Sequence, residues 1–388
     1  MRKFSKNLVL IFFAWLVLPG TASADQILEL LKDIEVHGFA SSSYSFNFNE
    51  PTTQAPNAAT NINRVFDSDH NSFKFDVGEL VLLKEVPKKG DVGFRTDITY
   101  GFSVPEVAKS AASPGDVQTH DFDVQQGYVS YNAPIGNGVQ LDLGKFITHM
   151  GAEVIEGYDG WNYNFSRSFL FGLAIPFTHT GLRVAYTLND KISFMGMVAN
   201  GSDNTTDNNS GKTLGAQIAI TPVEYISLLL NWVGGPDKAN SNDVTNIFDM
   251  VLDIALPLNT LLQLNFDYGR QANSSGLFAG KDAEWWGIGG IIRHDYNKWF
   301  SINLRGEFFN DQGGTRASFG SAAGSATFTP GQELWEITVT PEFRINQNLV
   351  VRFEYRHDQS NKLVFYDQNP GVLTSGQDTA AINALFFF

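Results

Sequence analysis

Runs in which apolar and polar residues alternate dominate this chain, and the connections between the runs alternate strictly between short and long. VVRFEYRHD places Val351, Phe353 and Tyr355 on one face and Arg352, Glu354, Arg356 and Asp358 on the other. A period of two is the mark of a strand whose two faces meet different surroundings. The same pattern sets Leu262, Leu264, Phe266 and Tyr268 against Gln263, Asn265 and Asp267, and Trp335, Ile337 and Val339 against Glu336, Thr338 and Thr340. Sixteen such runs are expected, at 35–48, 72–84, 91–103, 121–132, 138–148, 178–188, 191–200, 212–221, 224–234, 244–256, 259–270, 282–294, 297–310, 332–344, 348–358 and 378–388.

The short connections read VPKKGD, APIGNG, ND, TPVE, PLN, YN and INQN, which is the Gly, Pro, Asn and Asp chemistry of tight hairpins. The long ones, such as EPTTQAPNAATNINRVFDSDHN and residues 150–177, all fall at the other end. A soluble sandwich offers no reason for that asymmetry. An outer-membrane barrel does, with an even strand count, short periplasmic turns and long extracellular loops. The fold expected is therefore all-β, a transmembrane antiparallel up-and-down barrel of about 16 strands.

The N-terminus agrees with export. MRKFSKNLVLIFFAWLVLPGTASADQ has a basic start, an apolar stretch and small residues before Ala24, the pattern of a cleaved signal peptide at residues 1–24. Residues 25–34 follow as a short periplasmic segment and 35–388 as the barrel; no linker or composition shift divides the chain further. Cleavage removes Arg2, Lys3 and Lys6 and no acid, moving the formal charge from -14 to about -17. Nucleic acid is thus excluded as a partner. With no cysteine, the fold has no disulfide, thiol nucleophile or Cys-held metal.

The polar faces carry Arg, Asp, Glu, Gln and Asn and almost no Lys, which gathers at turns and loops such as Lys88, Lys89, Lys238 and Lys298. Such faces suit a confined aqueous lumen in which opposite charges pair. Tyr225, Trp232, Trp285, Trp286, Tyr296 and Trp299 sit near strand ends and are expected to form interfacial girdles. The chain closes on NALFFF, with Phe388, Phe386, Ala384, Ile382 and Ala380 on one lipid-facing side. That ending resembles the aromatic C-terminal strand by which barrel-assembly machinery receives outer-membrane proteins.

Between Gly144 and Arg183 stands GKFITHMGAEVIEGYDGWNYNFSRSFLFGLAIPFTHTGLR. Gly144, Lys145, Phe146, Thr148, Gly151 and Glu153, then Ser166, Arg167, Ser168, Leu170 and Phe171, then Ala174, Pro176, His179, Thr180, Gly181 and Arg183, resemble a block carried by members of the OmpL-like β-barrel porin family. The first strand, with Val36, Gly38, Tyr44 and Asn47, is similar as well. GYDGWNYN departs from the family block and leaves the tip of this loop unplaced. The resemblance implies a porin of the bacterial outer membrane, without cofactor, in contact with outer-membrane lipid and lipopolysaccharide. Likeness to general porins further implies a homotrimer and a third loop folded inward.

That loop, 150–177, is the longest connection, and FLFGLAIPF within it is too apolar for bulk water. The expected constriction sets Glu153, Glu156 and Asp159, with Arg167, against Arg95, Arg183, Arg305, Arg352 and Arg356 on the wall. A competing reading pairs those arginines with lumen neighbours such as Asp97, Glu307, Glu354 and Asp358, and both can hold together. Opposed rows of charge set ion preference without covalent chemistry. The acidic loops favour a weak cation preference. His149, His179, Ser166 and Ser168 show no spacing of a nucleophilic triad, so no enzyme is expected. DSDH and GSDNTTDNNSG read as solvated loops rather than Ca²⁺ sites. The alternatives are a substrate-specific channel with a saturable site and a closed barrel acting as an adhesin or structural protein.

Overall fold

The structure, a computed structural model, describes residues 33–52, 60–108, 121–274, 280–317 and 331–388. The signal peptide and most of the 25–34 segment lie outside the described residues. Sixteen strands close into a single barrel. They are β1 (Glu35–Asn47), β2 (Ser72–Lys84), β3 (Val92–Tyr100), β4 (Phe122–Ala133), β5 (Val139–Ile147), β6 (Thr178–Asn189), β7 (Ile192–Ala199), β8 (Thr213–Val223), β9 (Ile226–Pro236), β10 (Val244–Leu256), β11 (Thr260–Gln271), β12 (Ala283–Asp295), β13 (Phe300–Asp311), β14 (Gln332–Arg344), β15 (Leu349–Ser360) and the closing strand (Gly376–Phe387).

Each strand pairs antiparallel with its neighbours in sequence, and the closing strand joins β15 to β1 through a register that sets Ser43 opposite Asn383 and Phe39 opposite Phe387. Every boundary lies within about three residues of the run read from the sequence. Seven tight turns gather at one end. At the β10–β11 turn the compactness forces positive φ on Leu258 and Asn259, 59° and 52°, the left-handed conformation that asparagine tolerates better than leucine.

Burial is inverted relative to a water-soluble protein. On β15, Phe353 and Tyr355 are 45% and 46% exposed while Arg352 and Arg356 are fully buried. Trp335 and Ile337 on β14 and Ile382 and Phe386 on the closing strand are exposed in the same way, with Glu336, Thr338 and Asn383 turned inward. An apolar outer surface of this extent would be untenable in water and is what a lipid-solvated barrel requires. At the short-turn end Tyr296, Trp299, Phe300 and Phe343 form a band of ring contacts, with Phe300 and Phe343 centroids 5.1 Å apart. Trp286 and Phe308 make a similar contact, 5.4 Å, near the long-loop end.

Trp285 does not belong to these girdles. Its neighbour Trp286 faces out, so the pleat turns Trp285 inward, where it is 1% exposed and donates its indole N–H to the Ala174 carbonyl at 3.1 Å. The glycines of the GKF and HTG blocks also have a packing reason. Gly144 and Gly181 face each other across β5 and β6. Gly144 adopts φ 145°, and a Cβ there would stand 2.2 Å from the Gly127 carbonyl oxygen.

Candidate functional site

The segment between β5 and β6 makes its contacts with residues on the inward register of the wall. Glu153 pairs with Arg305 on β13 at 2.7 Å, Glu156 with Arg352 on β15 at 2.9 Å and with Arg167 of its own segment at 3.1 Å, and Asp159 with Arg95 on β3 at 2.7 Å. Burial alone would raise the Glu156 carboxyl, but Arg167 and Arg352 outweigh it and hold the group below the ordinary carboxylate range.

Wall carboxylates hold the backbone of the same segment. Glu354 accepts the Phe165 and Ser166 N–H groups at 2.6 and 2.9 Å, and Glu307 accepts those of Phe169 and Leu170. Arg356 bonds the Arg167 carbonyl and pairs with Asp358 at 2.6 Å. Arg352 donates to the carbonyls of Asn162 and Asn164 at 2.6 and 3.2 Å. A segment rich in unpaired backbone polar groups can be buried only if such partners are supplied. Arg95 likewise bonds Asp97 as well as Asp159, so cross-lumen and same-wall pairing occur together.

The apolar stretch is buried too. Phe169, Leu170, Phe171, Ala174 and Ile175 join Phe146, Met197, Trp285, Phe309 and Leu334 from the wall, Ile62 and Phe66 from the first long loop, and Val364 and Phe365 from the last. Residues Leu170–Ala174 form one turn of π-helix, seated where Gly287 leaves room: a Cβ there would lie 2.4 Å from Leu170. Burying each such side chain is worth about 1.5–3 kcal/mol.

The GYDGWNYN tip, unplaced by sequence reasoning, runs to the short-turn end. Tyr158 stacks on His37 of β1 at 4.2 Å between ring centroids, and Trp161 on Phe387 at 4.5 Å. Sequence reasoning also missed Arg64 of the first long loop, which bonds Asp358 at 2.7 Å and Thr379 at 3.1 Å. No local pattern marked it, because its partners sit on the last two strands, remote in sequence and brought beside β1 only when the barrel closes.

The five wall arginines thus split into two sets. Arg305, Arg352 and Arg356 are buried beneath the segment, whereas Arg95 and Arg183 keep 12% and 22% side-chain exposure and Asp159 keeps 46%. Arg183 pairs with Asp142 at 2.8 Å and lies over the Tyr128 and Phe146 rings. Phe388, the last residue, is exposed on the outer face, its backbone bonded to Gly38 in both directions.

The sequence model of the family described as "Putative beta-barrel porin-2, OmpL-like" matches residues 33–388. The chain belongs to this family. Among solved structures, this OmpL-like porin is similar to the outer-membrane expressed OmpT of Vibrio cholerae, at 9% identity and TM-score 0.58, covering 92% of this chain and 97% of that one. It is similar to the outer membrane channel DcaP of Acinetobacter baumannii, at 10% identity and TM-score 0.56, over 92% and 97% of the two chains. The anion-selective porin from Comamonas acidovorans matches at 9% identity and TM-score 0.56, over 92% and 99%. At such identities the likeness is one of fold. No curated protein matches the chain. The family and the closed sixteen-stranded barrel place this porin in the bacterial outer membrane.

Family and fold are those of a channel rather than an enzyme. Among the described residues, Ser166 bonds Arg305 and Arg356, and Ser168 accepts the Phe171 N–H, so neither serine meets a histidine. Burial and the neighbouring His179 push His149 down to about 3, which makes it a weak base. Among the described residues no group of three His, Cys, Asp or Glu side chains is placed to hold a metal ion.

Proposed function

We propose that this porin lets small hydrophilic solutes and ions diffuse passively across the outer membrane, along a water path narrowed by residues 150–177. The observation that carries the reading is the docking of this segment: four wall groups, Arg305, Arg352, Glu307 and Glu354, bind its side chains or backbone from the inward register. A loop so held occupies lumen cross-section and leaves the remaining passage to the wall opposite.

The inner faces there carry Tyr128, Asp142, Arg183, Met195, Gln217 and Leu229, mostly half-buried. Partly exposed charges govern the passing ion; those are Arg95 and Arg183 on the wall and Asp159 on the loop, with the buried Asp97 and Asp142 as partners of the two arginines. Three acids against two arginines at this level, together with the acidic chain as a whole, support a weak cation preference. A homotrimer is the assembly proposed, on the likeness to the trimer form of in-vitro folded OmpT of Vibrio cholerae, TM-score 0.56. Phe388 is proposed as the residue presented to barrel-assembly machinery.

Liposome swelling with sugars of graded size tests the reading. Rates that fall steeply from mono- to trisaccharide without saturating fit a narrow diffusion pore. Saturating rates for one sugar alone fit a substrate-specific channel, and no swelling fits a closed barrel with a surface role.

A further inference from the structure

At the long-loop end, beside the point where residues 150–177 rejoin the wall, lies a cavity of about 440 Å³ whose lining includes Asp203, Asp237, Lys238 and Arg316. These four side chains come from three different loops, two acidic and two basic, and their charges cancel without pairing closely. The Arg316 guanidinium donates Nε–H to the Leu173 carbonyl at 2.6 Å and lies 4.7 Å above the Trp285 ring, and it makes no ion pair among the described residues. Burial lowers its pKa, and the more distant Asp311, Asp203 and Asp237 only partly offset this. A half-buried arginine with no contacting anion among the described residues is free to take one from solution.

The acids show the complementary deficit. Asp203 uses one oxygen, Oδ1, to accept the N–H groups of Phe177 and Thr178 at 2.7 and 2.8 Å, while Oδ2 has no hydrogen bond among the described residues. Burial pushes this carboxyl up to about 6, against the two amide bonds. Asp237 accepts the Ser202 N–H at 3.0 Å and the Thr213 hydroxyl at 3.2 Å, and burial raises it as well. Lys238 is already spent on the Ala272 carbonyl at 2.9 Å, which leaves Arg316, among the described residues, as the free cation of the cavity.

We propose that this cavity is a binding site for a small zwitterion, an amino acid or short peptide, whose carboxylate meets Arg316 and whose ammonium meets Asp203 and Asp237. A ligand carrying only one charge would satisfy one deficit and worsen the other. A guanidinium presenting a planar donor fork suits a carboxylate, and a carboxylate pair suits an ammonium. The volume suits a molecule of this size. The inference rests on the channel reading in one respect, that this mouth is where solutes arrive.

The test is isothermal titration calorimetry of the refolded full-length mature protein with glycylglycine, beside acetate and methylammonium at equal concentration. KCl conductance is recorded on the same preparation. Saturable heat with glycylglycine is expected, about tenfold or more weaker for either single-charge probe. Arg316→Gln and Asp203→Asn should each lose about tenfold in glycylglycine affinity with KCl conductance kept; the asparagine retains the oxygen that caps Phe177 and Thr178. No saturable heat in a conducting preparation, or affinity unchanged in both variants, overturns the site while leaving the porin reading intact. Heat without conductance would overturn the porin reading and leave the site.

Discussion

Arg352 reaches Glu156, Asn383 and two loop carbonyls from a position without solvent exposure, so its charge belongs to the packing of the barrel rather than to the water path. Arg352→Ala leaves the buried Glu156 with Arg167 alone and two loop carbonyls without their donor, and should cost about 3–5 kcal/mol, read as a lower urea midpoint for loss of heat-modifiable mobility. Arg95 and Asp159, which keep some exposure, should act on ions instead. Asp159→Asn is expected to move the reversal potential in a KCl gradient toward anions and Arg95→Gln toward cations. Arg305→Gln, buried under the loop, should leave the reversal potential within error while lowering stability. A shift with Arg305→Gln as large as with Asp159→Asn would mean that the buried arginines face the ions after all.

At the scale of elements, the docked loop is a pH-dependent part. The folded pKa of Glu156 is depressed, so its contribution to docking is complete above the ordinary carboxylate value of about 4.3 and is lost as pH falls through the folded value. Acidification through that depressed value should therefore loosen the loop, seen as a change in Trp161 fluorescence and in conductance, and Glu156→Gln should remove much of that pH step. The strands were legible because lipid outside and polar contacts inside impose a period of two on every run, which fixes faces as well as boundaries. The loop was legible only in part. Its carboxylates and apolar stretch announced burial, but the positions of Trp161 against Phe387 and of Arg64 against Asp358 depend on closure of the barrel, which brings distant residues together. Trp285 was misplaced for a smaller reason: a doublet of tryptophans sits on both faces, and composition cannot say which is inward.

For the whole molecule, the closing of β1 onto the last strand sets everything else. Phe388 lies over Gly38, where a Cβ would stand 2.4 Å from the ring, and their backbones bond at 2.9 and 3.1 Å. Deleting Phe388 should reduce the yield of heat-modifiable barrel in the outer membrane more than it reduces stability of the barrel once formed, because lost contacts there are few. As a porin, the barrel must hold an open aqueous path beside the docked loop. Single-channel recording of the refolded mature protein in planar bilayers, across a series of KCl concentrations, tests it most directly. Current steps that grow with salt, and that enlarge when residues 157–162 are deleted, are the predicted result. A folded, heat-modifiable protein that gives no steps at any salt would contradict it.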